Sequence, residues 1–299
     1  DTQVSAITHR VREAPAKLTV NSLLLRVRLR DLRVLRGEMR YERMTKRSTG
    51  PSGKRRRGRL GLAALAKAAG LALGLLALLS VLLVGLLRWI DPPTSAFMVR
   101  HWVGATWSGA PKPRLYHEWV SAGAIPPAMA LAAVAAEDQR FPEHVGFDLV
   151  QLKQAWADYR AGGRLRGAST ISQQTAKNLF LWPGRDPLRK ALEAWLTLLM
   201  EALWPKERIL EVYLNIAQLG PDTFGVGAAS WRFFDRPAVA IGSSQAARLA
   251  AVLPNPDGYR VEAPSAHVQR RVRWIRQQMR QLGGVGYLDG VWPAPTGAH

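Results

Sequence analysis

Residues 127–148 read PAMALAAVAAEDQRFPEHVGFD. Ten almost wholly apolar residues, 127–136, run directly into two adjacent carboxylates, Glu137 and Asp138. A segment that is apolar all round is a core helix and not a surface one. A core helix that ends on paired acids sets a carboxylate at the edge of a desolvated region, where a base is partly shielded from water.

Working outward, helical periodicity dominates and no run of period-two alternation is long enough to build a sheet. Helices are expected at 127–136, 149–161, 170–181, 187–203, 206–219, 225–234, 244–252 and 266–282, with Pro183-Gly184, Pro205, Gly220-Pro221 and Pro254/Pro256 falling between them. This predicts one mainly α domain over roughly 97–299, behind a Pro- and Gly-punctuated connector at 91–109 that contains Pro92 and Pro93. The chain has 299 residues and no cysteine, so disulfides and cysteine-based metal sites are excluded. Its six histidines are scattered and form no metal motif.

The net charge of +20 raises nucleic acid as a partner, and its distribution argues against it. Residues 1–59 hold 17 of the 42 Lys and Arg but 5 of the 22 acids, so they carry +12 of that total. Immediately after this basic segment comes the uncharged AAGLALGLLALLSVLLVGLL, 68–87, bracketed by Lys67 and Arg88 with Trp89 at its outer edge. Roughly twenty apolar residues is the length a helix needs to cross a bilayer. Residues 60–90 therefore read as a transmembrane anchor, with the basic tail on the cytoplasmic side and everything after Arg88 outside. A cleaved signal peptide is the rival, but its apolar region would be shorter and end at a small-residue site, whereas this one runs into RWIDPPTS. Gly70 and Gly74 have GxxxG spacing, which can pack helices closely. Met44 is a plausible start, making 1–43 an upstream extension; its LLLRVRLRDLRVLR segment could form a basic amphipathic helix.

Polar residues concentrate next in RGASTISQQTAKNLFLWPGRDPLRKALE, 166–193. Counting in fours from Ser169 gives Gln173 and Lys177, a polar stripe beginning at a helix start, where free N–H groups, the dipole and a lysine suit an anion such as a diphosphate. Arg185, Arg189 and Lys190 follow, and Arg189 stands four residues before a further carboxylate, Glu193. Each feature has a plain reading: a solvated helix end, an exposed stripe, an i,i+4 ion pair. Their density within sixty residues outside a membrane anchor favours glycosyl transfer, with an acid as base and cations on a leaving phosphate.

In order and spacing, EDQRFPEHVGFD, GASTISQQTAKNLFL, RKALE, ERILEVYLN and GVGAASWRFF resemble the signature motifs of the peptidoglycan glycosyltransferase family (glycosyltransferase family 51), most closely its monofunctional biosynthetic members, over about residues 95–282. The resemblance implies a mainly α, lysozyme-like domain behind one transmembrane helix, which polymerises lipid II into β-1,4 glycan strands with inversion at the outer face of the inner membrane. It implies that Glu137 is the catalytic base and Glu193 a second essential glutamate near the donor diphosphate. Ser169, Lys177 and Arg185 match diphosphate-binding positions, with Gln173, Gln174, Asn178, Arg189 and Lys190 completing the shell and Asp138 and Phe141 shaping the first motif. No tightly bound cofactor is implied; a divalent cation, Mg2+ or Mn2+, would arrive with the diphosphate and meet Glu193. Implied partners are lipid II, the growing glycan strand, the membrane and other cell-wall synthesis and division proteins, with no nucleic acid.

The sequence departs from the family pattern at Gln245, where many relatives have Glu, and at Phe233, where Tyr is common. There is no SxxK motif, and too few residues follow 260 for a transpeptidase domain, so polymerisation without crosslinking is expected. The patch NLFLW, 178–182, reads either as core or as a membrane-dipping surface. Arg270, Arg271, Arg273, Arg276 and Arg280 read as a solvated basic face or as a contact to anionic lipid. A lytic enzyme would share the fold and a lone glutamate without needing the cationic cradle, and a relict scaffold would need neither.

Overall fold

The computed structural model describes residues 53–107, 114–163, 169–184 and 186–294. The 1–43 extension, Met44 and Arg185 lie outside the described residues. The chain divides into two compact units, 1–67 and 68–299. Its helices are α1 (Gly53–Leu86), α2 (Ala96–Trp107), α3 (Pro127–Glu137), α4 (Leu149–Arg160), α5 (Ile171–Phe180), α6 (Pro187–Leu203), α7 (Lys206–Ile216), α8 (Val226–Phe234), α9 (Ser243–Val252) and α10 (Ala266–Gln281). Within α1, Ala63–Leu86 is the one segment among the described residues long and apolar enough to cross a membrane.

The core is built around α3. Residues 129–135 are all buried, and α3 packs against α9 and α10. Small residues on both helices suit close packing, since Ala130, Ala132 and Ala133 of α3 are fully buried, as are Ala246, Ala247, Ala250 and Ala251 of α9. Proline sets the entry of α3, with Pro126 at the N-cap and Pro127 as the first helical residue, where a missing N–H costs nothing. α5 lies against α6 and α7, so the two polar motifs are carried on helices that touch.

Two elements differ from the sequence expectation. The connector at 91–109 contains α2, which packs on α5 and buries Met98. A small sheet forms where no strand was expected: β1 (Tyr116–His117) pairs parallel with β3 (Thr223–Phe224), and β2 (Gln218–Gly220) pairs antiparallel with β3. Consequently α7 ends at Ile216 and not at 219. The turn into α8 needs glycine at 225, because φ is +79° and a Cβ would stand 2.4 Å from the Asn215 carbonyl oxygen.

The end of the apolar helix is fastened to the domain by hydrogen bonds that run in both directions. Trp204 Nε1 donates to Val84 O at 2.7 Å, Arg88 donates to Leu203 O at 2.7 Å, and buried Arg208 donates to Leu87 O and Ile90 O while pairing with Asp91. Trp195 on α6 donates to Ser80 Oγ at 3.1 Å, seven residues before Leu87. At 1.5 Å per residue that is about 10 Å back along the helix. α6 thus lies beside the apolar helix over its last turns.

Candidate active site

The site forms at the seam between α3 and α5. Asp138 caps α3 through its backbone, and its buried carboxylate turns to the start of α5, accepting the Ile171 N–H at 2.9 Å. His144 Nε2 sits 2.9 and 3.0 Å from the two oxygens of the same carboxylate. Thr170 is the N-cap of α5 in a reciprocal box: its Oγ1 accepts the Gln173 N–H and Gln173 Oε1 accepts the Thr170 N–H. Thr170 Oγ1 also donates to Gly146 O at 2.6 Å, in the turn before α4, where φ is +79° and a Cβ would fall 2.7 Å from the Thr197 methyl group. Phe141 is fully buried, with the Lys206 ammonium 4.5 Å above its ring.

These contacts correct the expected polar stripe. The helix begins at Ile171, so Ser169 stands ahead of the N-cap and is exposed, while Gln173 is buried in the capping box. The α5 residues that line a cavity of about 400 Å3 are Gln174, Lys177 and Asn178, and the rest of its wall includes Phe97, Arg100, Tyr213 and residues 253–257. At the start of α5 two of the N–H groups are already taken by the chain itself, that of Ile171 by Asp138 and that of Gln173 by Thr170.

Glu137, the last residue of α3, has one partner on each oxygen. Gln174 Nε2 donates to Oε2 at 3.0 Å, and Arg271 Nη2 donates to Oε1 at 3.0 Å. Burial pushes the Glu137 carboxyl above its ordinary value, against the pull of Gln174, Arg271 and Lys177. Gln174 is itself fixed, since the buried Tyr213 hydroxyl lies 3.4 Å from its Oε1. A carboxylate that is oriented, partly desolvated and raised in pKa can accept a proton from a neighbouring hydroxyl.

Lys177 joins this carboxylate to the second cluster. Its ammonium lies 5.6 Å from the Phe97 ring centroid, and burial lowers its pKa, with Glu193 and Glu137 pulling upward and Arg189 and Lys190 downward. On α6, buried Glu193 pairs with Arg189 at 2.5 Å and with Lys190. Ser169, exposed ahead of α5, has no described contact to either cluster. No three His, Asp or Glu side chains cluster around a possible cation among the described residues. Both Glu193 oxygens already carry cationic partners, so these residues do not fit a protein-held divalent ion.

Two site residues escaped the sequence reading. Arg271 was expected on a solvated basic face, yet it reaches across from α10 to Glu137. The signal was its spacing, since Arg271 stands four residues before fully buried Ile275 and seven before Gln278, which bonds Gln139. Tyr213 sits in ERILEVYLN, a segment read as support for the cleft, and only the fold brings its hydroxyl to Gln174. In the NLFLW patch, Leu179 and Leu181 are core and Trp182 is exposed.

A family model described as Transglycosylase matches residues 106–280. A biosynthetic peptidoglycan transglycosylase of Xanthomonas campestris pv. campestris is 52% identical over 216 residues, covering 72% of this chain and 87% of its own length. Proteins of the same description from Cronobacter sakazakii, 52% identical, and Pseudomonas aeruginosa, 51% identical, are each covered over 90% of their length, against 72% and 70% of this chain.

Proposed function

The chain belongs to the transglycosylase family and is a peptidoglycan glycosyltransferase, and from that premise we propose that it polymerises lipid II by inverting transfer without crosslinking the product. The observation that carries this reading is Glu137, a carboxylate at the end of a core helix, raised in pKa by burial and held on both oxygens. Glu137 takes the proton of the acceptor GlcNAc 4-hydroxyl as that oxygen bonds the donor anomeric carbon. The carbon–phosphate oxygen bond breaks on the opposite face, its electron pair leaves on the undecaprenyl diphosphate, and an α-linked donor gives a β-1,4 product. Lys177, Arg189 and Lys190 supply positive charge for the diphosphate, with Ser169 and Arg185 assigned to the same group by the family motif. Glu193 holds Arg189 and Lys190 in place. A Mg2+ or Mn2+ ion, where one takes part, comes with the diphosphate.

The chain's own surface supports a membrane-borne substrate. α4 buries none of its residues and exposes Leu149, Val150, Leu152, Trp156 and Tyr159, while α6 exposes Leu188, Trp195 and Leu198 beside the apolar helix. Apolar faces of this extent mark an interaction surface, and we assign them to the outer leaflet of the inner membrane, with the basic N-terminus cytoplasmic and the domain periplasmic. Other cell-wall synthesis and division proteins are the expected protein partners.

The test is incubation of the detergent-solubilised protein and its Glu137→Gln variant with labelled lipid II. The wild type is expected to give muramidase-sensitive polymer, and the variant to lose about 10^2- to 10^4-fold in rate, the usual worth of a general base. Lysis of preformed peptidoglycan by the wild type, with no polymer, would replace this reading with a lytic one.

A further inference from the structure

Arg271 is 134 residues from Glu137 in the chain, and the packing of α10 on α3 brings the two side chains to 3.0 Å. Its remaining contacts are slight. The guanidinium approaches Ala136 O at 3.5 Å and stands 5.9 Å from the Trp274 ring centroid, and its Nε is buried without a partner. A buried donor left unpaired costs about 1–3 kcal/mol, so an arginine that served only to dock α10 would be poorly placed here. The neighbouring Arg270 and Arg273 point to solvent.

We propose that Arg271 is a positioning residue for the transfer reaction: its guanidinium holds Glu137 Oε1 while Gln174 holds Oε2, fixing the carboxylate in one orientation. The proposal rests on the reading of Glu137 as the base. Two donors on different helices, one per oxygen, stop rotation about the terminal side-chain bond and leave each oxygen a free lone-pair direction for the incoming hydroxyl. The positive charge offsets part of the desolvation that disfavours ionisation. The Arg271 side chain stays partly exposed, which tempers that attraction and lets the carboxylate still accept a proton. The charged and titratable groups facing Glu137 are Arg271 from α10, Lys177 from α5 and Tyr213 from α7, with Asp138 beside it on the chain.

The experiment compares full-length wild type, Arg271→Ala, Arg271→Lys and the same-helix control Arg273→Ala, with lipid II from mildly acid to mildly alkaline pH and a thermal melt of each. Arg271→Ala is expected to lower kcat by about 10- to 100-fold, the usual cost of a misplaced catalytic group, with KM little changed. Its acid limb of kcat/KM moves to higher pH, because the attraction that favours the ionised carboxylate is gone. Arg271→Lys keeps the charge, so its acid limb stays at the wild-type position while kcat remains reduced; Arg273→Ala matches wild type throughout. Wild-type kcat and an unmoved limb in Arg271→Ala, or full kcat in Arg271→Lys, overturn the proposal while leaving the polymerase reading intact. Should Arg271→Ala not fold, the lysine variant decides alone. Absence of polymer from the wild type defeats the underlying reading instead.

Discussion

Glu137 and Glu193 are the same residue in opposite settings. Glu137 ends a helix, with one oxygen on an uncharged amide and the other on a partly exposed arginine, and its carboxyl is pushed up by burial. Glu193 lies inside α6, almost fully buried, with Arg189 and Lys190 on its two oxygens. The first is a charge the protein keeps under strain, free to take a proton. The second is a carboxylate placed between two cationic side chains, suited to holding them in place. Environment and not residue type sets the two carboxylates apart.

The largest effect that could break this comparison is on stability. Replacing Glu193 by Ala strands buried Arg189, whose Nε already lacks a partner. Removing one member of a buried ion pair costs about 3–5 kcal/mol, so Glu193→Ala is expected to lower the denaturation midpoint sharply, whereas Glu137→Ala is expected to lower it little. Equal losses in the two variants, measured by denaturant titration, would show that both glutamates are structural.

Asp138 tests the seam that joins the two motifs. Its carboxylate ties the first N–H of α5 to the end of α3, and so fixes where Gln174 meets Glu137. Asp138→Asn keeps the shape and loses the charge at the helix start and toward His144, which is expected to cost about 1–3 kcal/mol. Because α5 then shifts, kcat is expected to fall while KM changes less. A stability loss with unchanged kcat in folded protein would confine Asp138 to packing.

Where local chemistry decided the outcome, the sequence was readable. α6 runs over the predicted 187–203 because Pro187 fits its first position and Pro205 follows its end, and α3 stops within one residue of the predicted boundary. The strands were hidden because two or three residues show no alternation, and α2 was hidden behind the prolines that open its segment. The place of Gln173 in an exposed polar stripe was the avoidable error, since Thr170-x-x-Gln173 is a capping box, which commits Gln173 to its own helix start and leaves Gln174, also named from the sequence, to meet Glu137. Arg271 was the hardest to see. A contact between residues 134 apart leaves only a weak local trace, an arginine on the flank of an apolar stripe.

The smallest expected effect sharpens the comparison from the side of Glu137 alone. Its carboxyl is raised by burial, so the folded chain binds that proton more tightly than the unfolded chain does. The stability this contributes is complete below the ordinary carboxylate range and is lost as pH rises through the raised folded value. As pH rises the folded chain must give up that proton against a desolvation penalty, set by burial and eased by Gln174, Arg271 and Lys177. Gln in place of Glu137 keeps an oxygen for Arg271 and has no charge to desolvate. Glu137→Gln is therefore expected to melt higher than wild type at neutral pH, on the order of 2–4 °C for a domain of this size, with the gap closing as pH falls. Calorimetry across that range checks it; a variant that melts lower at neutral pH would mean that the pull of Arg271 and Lys177 outweighs burial.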